Sequence, residues 1–86
     1  MKLKPLPSRQ VVQILEQLGF QKIRQRGSHI FFKHPDGRTT IVPVHKGEDI
    51  GRGLLQEIIK DTKLTKEEFL KSLDLATGVK SQQSTI

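Results

Sequence analysis

Between the runs HIFFKH and RTTIVPV stands a single tripeptide, Pro35-Asp36-Gly37. No other feature narrows the fold as much. Glycine supplies positive φ and proline ends a strand, so two β-prone runs flanking such a turn pair as an antiparallel hairpin. Upstream, QKIRQR is joined to the first run by Gly27-Ser28, a second tight turn. Three strands in succession are therefore predicted. Alternation along QKIRQR puts Lys22, Arg24 and Arg26 on one face and Ile23 on the other. Pro43 has no N–H to give a ladder. The third strand must then lie at an edge, or turn Pro43 away from its neighbour.

Helical periodicity brackets these strands. Val11, Ile14, Leu15 and Leu18 fall on one helical face, Ser8 is a good N-cap, and Gly19 stands where a helix stops. This predicts a helix over about 9–18, with Phe20 folding back onto its last turn. Residues 1–7 read as a basic lead-in. After the loop HKGEDIGRG, the residues Leu54, Leu55, Ile58 and Ile59 make the stripe of a second helix. Gly51 and Gly53 are poor residues for its first turn, and close approach of a backbone or ligand is one reason to keep them. LTKEEFLKSL is a short third helix, with a Thr65/Glu68 capping box and a Leu64/Phe69 staple. The expected fold is α+β: α-β-β-β-α with a three-stranded antiparallel sheet, two helices on one face and a short extra C-terminal helix. Residues 1–73 form the domain and 74–86 a polar tail.

With 86 residues and 34% apolar content, the core must be modest and any active site shallow and open. A net charge of +6 favours a polyanion or an acidic protein as partner. The chain has no cysteine, which excludes disulfides, thiol nucleophiles and Cys-based metal sites. The three histidines lack ligand-type spacing, so neither a metal nor another cofactor is expected. The N-terminus has no signal-peptide apolar region, and no apolar run is long enough to span a membrane. A cytoplasmic location is expected.

The hairpin permits register arithmetic. With its centre at Asp36–Gly37, His29 falls within about a residue of Val44 and His45, and Lys46 is adjacent. Ser28 and Arg26 enter the same corner. These residues suit RNA cleavage. A neutral imidazole takes the proton of a ribose 2′-OH, and a protonated one supplies a proton to the leaving 5′-oxygen. Lys or Arg stabilises charge developing at phosphorus. The residues alone leave a blander reading open, in which His29 is a solvated strand-edge residue, His45 bonds its loop and the basic row is a solvated face. His34, beside the turn proline, reads as a turn residue. Phe31 shares parity with His29 and Lys33, so it is predicted to face outward.

The ordered set LGF, RQRGSHIFF, HPDGR, TTIVPVHKG, GRGLLQEII and LTKEEF resembles the HicA toxins of bacterial and archaeal type II toxin–antitoxin systems over about residues 6–70. The resemblance implies a double-stranded-RNA-binding-domain-like fold. It also implies an endoribonuclease, an mRNA interferase, that cleaves mRNA and inhibits translation. It places the catalytic histidine at His29 and implies a HicB-type antitoxin as partner, with DNA contacted only through that antitoxin. His45 as a second acid/base rests on the hairpin register alone. Lys22, Arg24, Arg26, Ser28, Lys33, Lys46 and Arg52 are the expected RNA contacts. GEDIGRGLL lacks the lysine cluster with which such RNA-binding modules grip a duplex, so a short RNA segment is the expected ligand, with Lys46, Arg52 and the helix N-terminus holding one phosphate. An alternative is a non-catalytic RNA-binding module that blocks translation by occupancy.

Overall fold

The computed structural model describes residues 3–77. In chain order the elements are β1 (Leu6–Pro7), α1 (Ser8–Gln17), β2 (Gln21–Arg26), β3 (His29–Lys33), β4 (Thr39–Pro43), β5 (Asp49–Ile50), α2 (Arg52–Thr62) and α3 (Lys66–Thr77). Strands β2, β3 and β4 form one antiparallel meander, with β3 in the centre. Burial alternates along it: Ile30, Phe32, Thr40 and Val42 face inward. They meet Val11, Ile14 and Leu15 of α1, Leu55, Ile58 and Ile59 of α2, and Phe69 of α3. The helices thus cover one sheet face, as expected. Phe20, Phe32 and Phe69 are almost wholly enclosed. Truncating one such ring to alanine costs about 3–5 kcal/mol, comparable to the entire stability of many small domains. No helix among the described residues is long and apolar enough to cross a membrane.

The end of α1 explains how the first strand is aimed. Gly19 adopts φ +99°, the Phe20 amide donates to the Leu15 carbonyl at 2.9 Å, and the Gly19 amide donates to the Glu16 carbonyl at 3.0 Å. These two bonds are the Schellman pair, and they turn Phe20 back into the core as the sequence predicts. The capping box also forms. Thr65 N–H donates to Glu68 Oε1 at 2.9 Å, and Glu68 N–H donates to Thr65 Oγ1 at 3.1 Å.

The β3–β4 hairpin is closed by His34 N–H donating to the Arg38 carbonyl at 2.8 Å. Its loop is clamped onto the helix layer. Arg38 bonds Asp36 at 2.9 Å, lies 5.3 Å from the Phe20 ring centroid, and donates to the Thr62 carbonyl at the end of α2. His34 meets Phe20 edge-on at 5.2 Å. Its Nδ1 is 3.1 Å from the Asp36 amide and 3.0 Å from Asp36 Oδ1. A neutral ring accepts from the amide, whereas a protonated ring donates to the carboxylate, so one nitrogen serves these partners in turn. His34 is thus a turn residue, as predicted. The Arg38 guanidinium holds the Asp36 carboxyl below its ordinary value. The stabilisation from this pair is full above the ordinary carboxylate range and is lost as pH falls through the folded value.

Several expectations are corrected. Ser8 is not the N-cap: Pro7 occupies that position, and Ser8 is the buried first helical residue with no side-chain capping bond. The cause is a two-residue ladder that the sequence does not announce. Leu6 pairs with Ile50 and Pro7 with Asp49, which delivers extended chain directly into α1. The lead-in is accordingly part of the fold, with Leu3 in the core. On α2 the buried face is Leu55, Ile58, Ile59 and Thr62, while Leu54 remains 40% exposed. A Cβ at Gly51 or Gly53 would meet nothing within 4 Å, so no neighbouring part of the described chain requires glycine there. Finally, α3 continues to Thr77, past the expected start of the tail at 74; residues 78–86 lie outside the described residues.

Two substitutions should act in opposite directions. Gly19→Ala forces a side chain into a positive-φ site and places its Cβ 3.0 Å from His34 Nε2. It should lower stability by at least about 1–2 kcal/mol. Lys63 holds the left-handed C-cap of α2 at φ +65°. Lys63→Gly should raise stability by about 1 kcal/mol. Urea denaturation midpoints at constant m-value check both.

Candidate active site

The hydrogen-bonding phase of the β3–β4 ladder determines what stands beside His29. Val44 N–H donates to the Ser28 carbonyl at 2.6 Å, and His34 N–H to the Arg38 carbonyl at 2.8 Å. Hydrogen-bonded pairs therefore fall at the even positions of β3. The pairs His29–Pro43, Phe31–Ile41 and Lys33–Thr39 are the non-hydrogen-bonded ones. Such pairs bring Cα atoms within about 4.5 Å and their side chains close together. Pro43 thus has its nitrogen on the free edge of β4, so the sheet loses no donor there. Both alternatives posed by the sequence hold at once.

On the other side of β3, Arg26 pairs with His29 and Arg24 with Phe31. The open face of the sheet therefore carries two cross-strand rungs, Arg26–His29–Pro43 and Arg24–Phe31–Ile41, followed by Gln21–Lys33–Thr39. No carboxylate belongs to any of them. Gly27, at φ +57° with Ser28 behind it, makes the two-residue turn that brings Arg26 opposite His29. His29 is exposed on this face.

The expected basic row does not form as a unit. The β2–β3 register shifts between Lys22 and Arg24, leaving Ile23 as the extra residue of a bulge. Ile23 is 56% exposed instead of inward-facing. Lys22 pairs with Phe32, a helix-side residue, so it is separated from Arg24 and Arg26. Phe31 faces outward as its parity predicts, although it is half-buried because the Arg24 guanidinium lies 4.8 Å from its ring centroid. This covering, and the apolar neighbours Ile41 and Pro43, were not evident from the sequence. The only signal for them was the shared parity about the hairpin centre.

The loop after β4 completes the corner. Glu48 N–H donates to the His45 carbonyl at 3.0 Å, which makes His45–Glu48 a β-turn with Lys46 and Gly47 at its centre. His45 Nε2 lies 3.5 Å from Ser28 Oγ. His45 thus reaches the corner through Ser28, two residues beyond the Pro43 that faces His29. An open cleft of about 630 Å³ runs from His45 and Lys46 to Ser8 and Arg9 at the start of α1. Glu48 and Asp49 share it, so the field there is less positive than its basic residues alone would make it. Arg52 opens α2, exposed, and lines neither this cleft nor the smaller one beneath His45 and Leu54. Among the described residues, no three His, Asp or Glu side chains cluster as metal ligands.

The arrangement offers two imidazoles, a serine hydroxyl and arginines at one open corner. It can exchange protons with, and hold, an extended anionic chain. No curated protein matches this sequence. A sequence model described as the HicA toxin of bacterial toxin–antitoxin systems matches residues 8–64, from the first residue of α1 to the residue before the α3 capping box. Because that match spans more than half the chain and covers the helix–sheet–helix unit presenting this corner, the chain belongs to the HicA toxin family.

Proposed function

We propose that this toxin is a metal-independent endoribonuclease that cleaves mRNA in the cytoplasm and so inhibits translation, with His29 as the catalytic acid or base. The observation that carries the reading is the Arg26–His29–Pro43 rung: an exposed imidazole beside a guanidinium on a sheet face without carboxylates. In the reaction, the ribose 2′-oxygen loses its proton to an imidazole and attacks the adjacent phosphorus. The bond to the 5′-oxygen breaks, and that oxygen takes a proton. The products are a 2′,3′-cyclic phosphate and a 5′-hydroxyl. DNA has no 2′-OH and is not a substrate. Arg26 stabilises charge on the phosphorane. His45, steadied by Ser28, is the candidate for the second proton transfer, and Lys46 stands beside it. Arg24 and Lys33 guide the flanking RNA along the open face. Lys22, across the bulge, and Arg52, on α2, are more distant contacts. The same exposed cationic face suits an acidic antitoxin of the HicB type, which would block access to His29.

His29→Ala should lower the cleavage rate by about 10²–10⁴-fold while leaving the denaturation midpoint nearly unchanged, because the side chain is exposed. Cleavage of a defined RNA by antitoxin-free protein, with end-group analysis for cyclic phosphate, measures this. Wild-type rates in His29→Ala would overturn the assignment. Growth arrest by His29→Ala without RNA fragments would favour translation block by occupancy. Separately, Arg26→Gln should reduce the salt dependence of RNA binding by about 0.7 in log–log slope, and Lys22→Gln should change it less. Equal effects would show that RNA does not follow the open face.

A further inference from the structure

We infer that Phe31 and Arg24 form a base-binding platform for single-stranded RNA, holding a nucleotide beside the bond that is cut. The inference rests on the nuclease reading of His29 and adds a recognition element to it.

Phe31 is on the same face as His29, two residues further along β3. At about 3.4 Å per residue, its rung lies roughly 7 Å from the histidine rung. A nucleotide next to the cleaved phosphate can span such a distance. The Phe31 ring is half-buried, with Ile41 opposite it on β4 and Arg24 opposite it on β2. Ile41, 42% exposed, makes one apolar wall. The Arg24 guanidinium, 4.8 Å from the ring centroid, makes the other cover. Unstacked bases are held on aromatic rings and on guanidinium planes, and this rung offers both surfaces.

The charge pattern selects the occupant. Arg24, Arg26 and Lys33 surround Phe31, and none of the residues on the three rungs is acidic. The cations alone suit an acidic protein surface as well, but the ring lying against a guanidinium is left unexplained by charge. A polyanion whose bases carry π-faces satisfies both features together. Arg24 is on the exposed edge strand, where a cation–π contact is weak, so a base can enter beneath it or stack upon it at little cost. Because every base has a π-face, the platform reads position more than identity. It fixes which nucleotide sits beside the cut, with larger bases favoured through greater stacking area.

The test uses antitoxin-free protein and an RNA oligonucleotide with one cleavage site, in which each flanking nucleotide is replaced in turn by an abasic one. At one position next to the cut, the abasic RNA should be cleaved about 5- to 150-fold less efficiently by wild type. Phe31→Leu should show no further loss at that position, because its partner surface is already gone. Equal abasic penalties in wild type and Phe31→Leu would overturn the platform and leave the nuclease reading standing. A binding measurement separates the two further. The chain contains no Trp and no Tyr, so Phe31→Trp introduces the only strong fluorophore. Titration with a single-stranded 2′-O-methyl RNA, which cannot be cut by 2′-OH attack, should quench its emission. Unchanged emission with binding evident by anisotropy would overturn the platform. Absence of binding to any single strand would overturn both readings. Loss of antitoxin binding in Phe31→Leu with intact abasic penalties would assign the patch to the protein partner instead, against the proposal.

Discussion

The register between β3 and β4 is the constraint on which the rest of this structure depends. Side chains alternate across a strand, so a slip of one residue would turn Ile30 and Phe32 to solvent and bury His29, Phe31 and Lys33. What prevents the slip lies at the opposite end of the hairpin from His29. Arg38 ties the loop to Asp36, to the Phe20 ring and to the end of α2, and His34 rests on the same ring. Phe20 is in turn positioned by the Schellman turn that ends α1. Halfway along, Thr40 donates to Asp61 at 2.9 Å and pins β4 to α2 a second time. The candidate site owes its geometry to contacts it does not touch.

This separation gives the two sheet faces different tasks. One is covered by α1 and α2, with α3 packed mainly against α1, and carries nearly all the apolar burial. The other is left open and carries cations, a histidine and one covered aromatic ring. A small domain can expose a face of this kind because its stability is generated behind it. Substitutions at His29 and its rung partner Arg26, both exposed, should therefore disturb folding little.

Local chemistry was the legible part of the sequence. Gly19 with Phe20, Thr65 with Glu68, and Pro35-Asp36-Gly37 each encode their geometry within a few residues, and each forms as read. Parity about the hairpin centre placed Phe31 on the outer face. The site corner was legible to within two residues: His29 meets Pro43, and His45 arrives by way of Ser28. The errors have a common origin in pairings between distant segments. The Ile23 bulge depends on how β2 meets β3, and alternation within β2 alone cannot reveal it. The Leu6–Ile50 ladder joins residues 44 apart, and it displaced the expected cap at Ser8. Leu54 carries the right residue type for the core but lies beside the wrong neighbours.

Pro43 has a consequence beyond its place opposite His29. Its ring occupies the outer edge of β4, where an added strand would seek an amide donor. The other edge, β2, is interrupted by the bulge at Ile23. Both borders of the sheet are thereby poor templates for further strands, and a cationic chain with an open sheet is protected against stacking edge to edge with its own copies. A docking partner therefore gains little by lengthening this sheet, and its faces, not its borders, are what the fold leaves on offer.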